Sequence, residues 1–343
     1  VSEDRFRSAL RQQAASCANL GSPFMERLCR LFAERLQPGT ELTDRLFDWP
    51  GELGPMGDSV PLRLTGAMHA QKLSGTPGLA EVYPPHEVED DVLWRAVDRV
   101  MRSHHKELGR FIDLPPQTNE VRRSASLIAA AHWLGARYPM PLTLSELGAS
   151  AGLNLMFDRY GLETPEGPLG APEPVLTLDP DWTGPVPGGP SPRAVGRRGV
   201  DLSPLDPTKD RLRLLAYLWP DQPHRLTLTE KAISVAEAKV DAGDAADWLE
   251  ARLAEPHEGL HLVYHTIAWQ YFPEETQRRL RDALEAAGSR ATPEAPLAWF
   301  GMEADGEARG SGLTLRLWPG GETHRLGRFD FHGRWIDWTA APL

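Results

Sequence analysis

Apolar positions recur at helical spacing through the first 141 residues. In residues 5–18, Phe6, Leu10 and Ala14 stand four apart with charges between them. Residues 23–36 repeat the pattern with Phe24, Leu28, Leu31 and Phe32, and residues 88–101 with Val88, Val92, Val97 and Val100. One apolar stripe per segment predicts amphipathic helices, separated by Gly/Pro punctuation. The run PPQTNEV over 115–121 ends one element and opens another. Thr118 or Asn119 is placed to cap a helix whose stripe is Val121, Ala125, Ile128 and Ala131. At 142 the period changes. Residues 142–147 alternate apolar and polar, which predicts a strand. Strands are then expected at 194–200, 239–243, 261–265 and 297–302, with helices at 208–219, 223–238, 245–253 and 274–287 between them. A closing hairpin is expected over 313–318 and 325–331. Strands alternating with helices predict an α/β fold with a Rossmann-like, mostly parallel sheet flanked by helices. The chain is accordingly read as a helical N-terminal region, 1–141, and an α/β domain, 142–343. Residues 162–192 hold nine prolines and five glycines and read as an irregular insertion.

Candidate chemistry gathers at the carboxyl ends of the predicted strands. The run Glu146-Leu-Gly148-Ala149-Ser150-Ala-Gly152-Leu-Asn154 leads from strand to helix. Its glycines permit a tight turn and close approach of a ligand, and free amides are expected to face the carboxyl edge of the sheet. Asp201 ends the next strand in GVDLSP, where a carboxylate can take both hydroxyls of a ribose. Asp244 closes the third strand, where an acid can accept from an adenine amino group. The fourth strand ends in HTIAWQY, which brings His265, Trp269 and Tyr271 to the same edge, with Glu303 from the strand after it. Gln117, Asn119, Glu120 and Arg123 form a polar, turn-rich stretch expected to face substrate.

These residues carry a resemblance. The segment 142–271 resembles the class I S-adenosylmethionine (SAM)-dependent methyltransferases: Glu146 to Gly152 is similar to their first motif, Asp201 to the ribose acid and Asp244 to the adenine-side acid. Nearly the whole chain, through PPQTNEV, LGASAGLN, YLWPD, HTIAWQY and WPGG, also resembles a bacterial family of unknown function. The first resemblance implies a methyltransferase-type sheet, SAM as cofactor and a small-molecule acceptor. It implies that Glu146, Gly148, Ala149, Ser150, Gly152, Asn154, Asp201 and Asp244 hold SAM. It puts His265, Trp269, Tyr271 and Glu303 beside the transferred methyl group. The chain departs from the motif pattern in that Glu146 and Asp201 are 55 positions apart, against about 20 in the usual unit. The 162–192 insertion is taken to absorb the excess.

Two rival readings use the same residues. Gly148-Ala-Ser150-Ala-Gly152 also fits the G-x-S-x-G elbow of serine hydrolases, with Glu303 or Asp305 and then His324 or His332 as partners. Alternatively, the domain binds a nucleoside ligand without catalysis. His265, Glu303 and His332 have no metal-ligand spacing, and no metal is expected. Composition narrows the field further. A net charge of −11 gives no bulk attraction to nucleic acid, and Arg193, Arg197 and Arg198 read as a solvated strand edge. Two cysteines, Cys17 and Cys29, supply neither a disulfide framework nor a zinc site. The charged N-terminus lacks the apolar core of a signal peptide, and no run approaches the ~20 apolar residues of a membrane span. The expectation is a cytoplasmic protein.

Overall fold

The computed structural model describes residues 2–307 and 309–342. The chain divides into two compact units, residues 1–118 with 210–227 and residues 119–209 with 228–343. The first is helical: α1 (Ser2–Asn19), α2 (Pro23–Arg35), α3 (Glu41–Phe47), α4 (Val60–Leu73), α5 (Asp90–Ser103) and α6 (His105–Ile112). Helix α2 starts where it does because the Ser22 hydroxyl accepts from the Met25 amide at 3.2 Å and Pro23 suits the first helical turn. Phe6, Leu10, Leu28, Phe32, Leu64 and Val97 are buried together in its core. Cys17 and Cys29 are buried there as free thiols. Helix α4 is buried on every side, with Arg63, Thr65 and His69 inside as well as Leu64 and Met68.

The second unit runs through α7 (Ser124–Arg137) and β1 (Leu142–Leu147). Four short strands follow: β2 (Gly161–Leu162), β3 (Leu169–Gly170), β4 (Thr177–Leu178) and β5 (Asp181–Thr183). Next come β6 (Ala194–Asp201), then α8 (Arg211–Ala216), which belongs to the first unit, and α9 (Pro223–Ile233). The chain continues with β7 (Lys239–Ala242), α10 (Ala245–Ala254), β8 (Leu260–Thr266), α11 (Glu274–Gly288) and β9 (Leu297–Glu303). It closes with β10 (Ser311–Trp318), β11 (Glu322–Phe329) and β12 (Trp335–Trp338).

One nine-stranded sheet organises the second unit, in the order β5-β12-β11-β10-β9-β8-β1-β6-β7. Strands β7, β6, β1, β8 and β9 are all parallel. Numbered by appearance in the chain, they stand 3-2-1-4-5. Strands β9 to β12 then form an antiparallel meander. The expected α/β class, with a mostly parallel sheet covered by helices beside a helical N-terminal region, is therefore the observed one. The 162–192 stretch is more regular than its composition suggests. Strands β2, β3 and β4 pair into a small sheet of their own, and β5 pairs with β12 at the far edge of the large one.

Both faces of β1 are covered, so its polar residues are buried along with its leucines. Each finds a partner or stands out for lacking one. Thr143 donates to the Glu258 carbonyl at 2.8 Å. The Ser145 hydroxyl accepts from Arg252 Nε at 3.3 Å and lies 2.8 Å from His261 Nε2. At the rim, Arg197 pairs with Asp158 at 2.8 Å and Arg198 with Asp241 at 2.7 Å, so these cations are already neutralised. Among the described residues no helix is long and apolar enough to cross a membrane.

Candidate functional site

In a 3-2-1-4-5 sheet the chain reverses direction of winding between strands 1 and 4, and ligands bind in the crevice outside the carboxyl ends there. In this chain the crevice lies between β1 and β8. Two non-glycine residues adopt left-handed backbone on its two sides, Ser150 at φ 53° and Ile267 at φ 52°. For a β-branched residue such as Ile267 this is strained, and such strain concentrates at functional turns.

The turn after β1 has Gly148 at φ 72° and Gly152 at φ 73°. A Cβ at Gly148 would lie 2.6 Å from the Ala268 Cβ, and one at Gly152 would lie 3.0 Å from Val240 Cγ2. The glycines thus let the turn pack against the loop after β8 on one side and against β7 on the other. Its amides are occupied from within, contrary to the expectation that they stand free. Gly148 and Ala149 donate to the Val200 carbonyl at 2.9 and 3.0 Å, and Gly152 donates to Ala149 at 2.8 Å. Ser150 donates to Asp201 Oδ2 at 2.9 Å.

The three acids differ in state. Glu146 is buried, and its Oε2 has no hydrogen-bond partner. Burial pushes its carboxyl well above the usual range; Asp201 adds to this and Arg123 opposes it. Asp201 is half-buried and tied to two amides, Ser150 through Oδ2 and Ser203 through Oδ1 at 2.9 Å. Asp244 caps α10: Oδ1 takes the amides of Ala246 and Asp247 at 2.8 and 3.1 Å, and Oδ2 takes the Thr276 hydroxyl at 3.1 Å. Asn154 is buried, with its Oδ1 accepting from Ser124 at 2.7 Å.

The stretch at 117–123 braces these turns. Asn119 does not cap α7. Its Oδ1 accepts from the Leu153 amide at 2.9 Å, behind the glycine turn. Arg123 Nη1 donates to the Thr266 carbonyl at 3.1 Å, at the end of β8, and its Nε to Phe331 at 3.2 Å. Glu120 takes the Arg122 amide at 3.1 Å and starts a one-turn 3-10 segment before α7. Gln117 is half-exposed among the last residues of the first unit's long segment.

His265, Trp269 and Glu303 come together in a cleft of about 320 Å³ on the second unit; Tyr271 is exposed and is not part of its lining. Glu303 Oε1 takes three donors: His265 Nδ1 at 2.7 Å and the amides of Ala268 and Trp269 at 3.0 and 3.1 Å. Trp299 Nε1, which can only donate, points to His265 Nε2 at 3.0 Å. The imidazole therefore holds its proton on Nδ1 and spends its Nε2 lone pair on an indole. Trp269 stacks on His265 with centroids 4.9 Å apart. Glu303 Oε2 is buried without a partner. Sequence reasoning did not single out Trp299, Arg281 or Arg316, which also line the cleft. The signal available was the period of two: Trp299, Gly301 and Glu303 share one face of β9.

Three of the four partners named for the hydrolase reading are engaged elsewhere. Glu303 binds His265, Asp305 binds Arg328 at 2.8 and 3.0 Å, and His324 packs against the Trp133 ring at 4.9 Å. Among the described residues, no three His, Cys, Asp or Glu side chains gather in a way that could hold a metal. No curated protein and no solved structure matches the chain. A family model described as an uncharacterized protein conserved in bacteria (DUF2332) matches residues 7–338. The match spans nearly the entire chain, and the protein belongs to that bacterial family.

Proposed function

We propose that the second unit binds SAM at the carboxyl ends of β1, β6 and β7 and transfers its methyl group to a small acceptor. The observation that carries this reading is the unpartnered, buried Oε2 of Glu146 at the crevice of a 3-2-1-4-5 sheet. An orphan buried oxygen calls for a partner, and a cofactor amine or hydroxyl fits it. Asp201 and Asp244 stand at the ends of the next two strands, and each carboxylate retains acceptor capacity beyond its backbone bonds. Glu146, Asp201 and Asp244 would hold the cofactor, with Asn119 and Arg123 keeping the two turns of the crevice in register. SAM, when bound, supplies an electrophilic methyl group.

The chain's own task is alignment and proton removal, because in-line displacement depends mainly on the placement of its three centres. Trp269 and Glu303 flank the acceptor side. Glu303 Oε2 takes the proton that an amine or hydroxyl acceptor gives up. His265 does not serve as base, since both ring nitrogens are engaged. That engagement favours a second reading, a protein that binds the same nucleoside ligand without transfer.

Calorimetric titration with SAM, using NAD and ATP as controls, tests the cofactor. SAM is expected to bind and the other two are not. Heat from NAD alone, or from none of the three, overturns the assignment. Multiple-turnover formation of S-adenosylhomocysteine then separates the enzyme from the binder.

A further inference from the structure

The cleft beside β9 has its own chemistry, and it differs from that of the crevice. Glu303 lines it, and its Oε2 is a buried carboxylate oxygen without a donor among the described residues, while Oε1 of the same group is saturated by three. Native structures leave few such atoms, and each calls for a donor from elsewhere. No histidine nitrogen competes for the place, because His265 is locked between Glu303 and Trp299.

Two arginines, Arg281 and Arg316, bring the opposite charge to the same cleft. Helix α11 carries three arginines. Arg278 pairs with Glu275 and Asp282, and Arg279 pairs with Asp247 and Glu250. Among the described residues Arg281 pairs with no acid. It lies 5.1 Å over the Trp269 ring, and its one side-chain hydrogen bond goes to Gln277 at 3.2 Å. Arg316 on the facing wall is already neutralised by Glu285. The Trp269 and Trp299 rings, which also line the cleft, meet at 45° with centroids 5.4 Å apart. Indole faces attract cationic and flat groups. The cleft's 320 Å³ corresponds to about ten water volumes at ~30 Å³ each.

We infer that this cleft is a binding site for a small zwitterion of free amino-acid size, its amine on Glu303 Oε2, its acid on Arg281 and its body against Trp269 and Trp299. That the ligand is also the methyl acceptor rests on the methyltransferase reading; its binding does not.

The test uses the full chain without SAM. The twenty common amino acids are screened by thermal shift. The best binder is then compared by calorimetry with its amine-only and acid-only analogues. The zwitterion is expected to bind at least tenfold more tightly than either analogue. Glu303→Gln keeps an acceptor for the three donors and turns the other position into a donor. It should abolish the preference for the zwitterion over the acid-only analogue. Arg281→Gln, on an exposed helix position, should abolish the preference over the amine-only analogue. No binding by any amino acid, or equal binding by all three molecules, overturns the inference. So does retention of both preferences in the variants. Should Glu303→Gln fail to fold, Arg281→Gln alone decides. Failure to bind SAM in the earlier titration would leave this result standing.

Discussion

Glu146 shows how one residue type can be right and its environment unreadable. A polar residue at the end of a predicted strand marks it as a candidate in the sequence. Its lack of a partner follows from the coverage of both faces of β1, which a period of two does not announce. Its raised folded pKa has a definite consequence. The folded chain holds the proton above the ordinary carboxyl range, where the unfolded chain releases it, so the stability tied to that proton is lost as pH rises through the folded value. Glu146→Gln removes the ionisable group. The variant should gain about 1–3 kcal/mol over the parent at pH 8, the scale of a buried unpaired polar group. The gain should shrink toward pH 4. Urea titrations at the two pH values measure it, and an equal difference at both would refute the assignment. Arg281 is the opposite case. In sequence it is one more charge on a helix rich in them. Only its neighbours' ion pairs set it apart.

A helix with one buried face carries its stripe in the sequence, and a helix buried on every side need not. Helix α5 has acids at its start and buries Leu93, Ala96, Val97, Val100 and Met101; Val97 and Val100 of the expected stripe are among them, whereas Val92 is exposed and Val88 precedes the helix. Helix α4 buries Arg63, Thr65 and His69 along with its apolar residues, so no stripe marks it in the sequence. Alternation marks the strand at 142–147 and glycines mark the turn after it, but that the turn's amides are taken up by Val200 and Asp201 is not visible in the sequence. Those glycines serve packing between turns, which a double-mutant cycle can isolate. Gly148→Ala brings its Cβ to 2.6 Å from the Ala268 Cβ and also strains a backbone at φ 72°. The combined loss should be about 2–4 kcal/mol. Ala268→Gly removes the clash and leaves the strain. The double variant should therefore recover about 1–2 kcal/mol relative to the sum of the single changes. Additive losses, measured by chemical denaturation, would mean that the two turns do not press on each other.

At the scale of the whole molecule, histidines in both units govern the response to acid. His69 in the first unit is pushed down to about 4 by burial, with a hydrogen bond to the Ala216 carbonyl opposing the shift. His261 in the second is pushed down to about 3 by burial, then by the neighbouring His257 and Arg252. An unfolded histidine titrates near 6.5. Between that value and the folded ones, the unfolded chain binds more protons. Stability from these groups is therefore present above pH 6.5 and lost as pH falls toward 4 and 3. The limiting slope is about 1.4 kcal/mol per pH unit for each histidine. Glu146 works in the opposite sense from the ordinary carboxyl value of about 4.3 upward, so the net slope of the second unit should be the shallower there. Replacing His261 by Gln keeps a hydrogen-bonding partner for the Ser145 hydroxyl, and replacing His69 by Gln keeps a polar group beside Ala216. Each change should cost about 1–2 kcal/mol at pH 7.5 and recover most of that by pH 5. Because the two histidines belong to different cores, their effects should add in the double variant. Stability curves between pH 7.5 and 5 that run parallel for parent and variants would show that neither imidazole is held neutral by the fold.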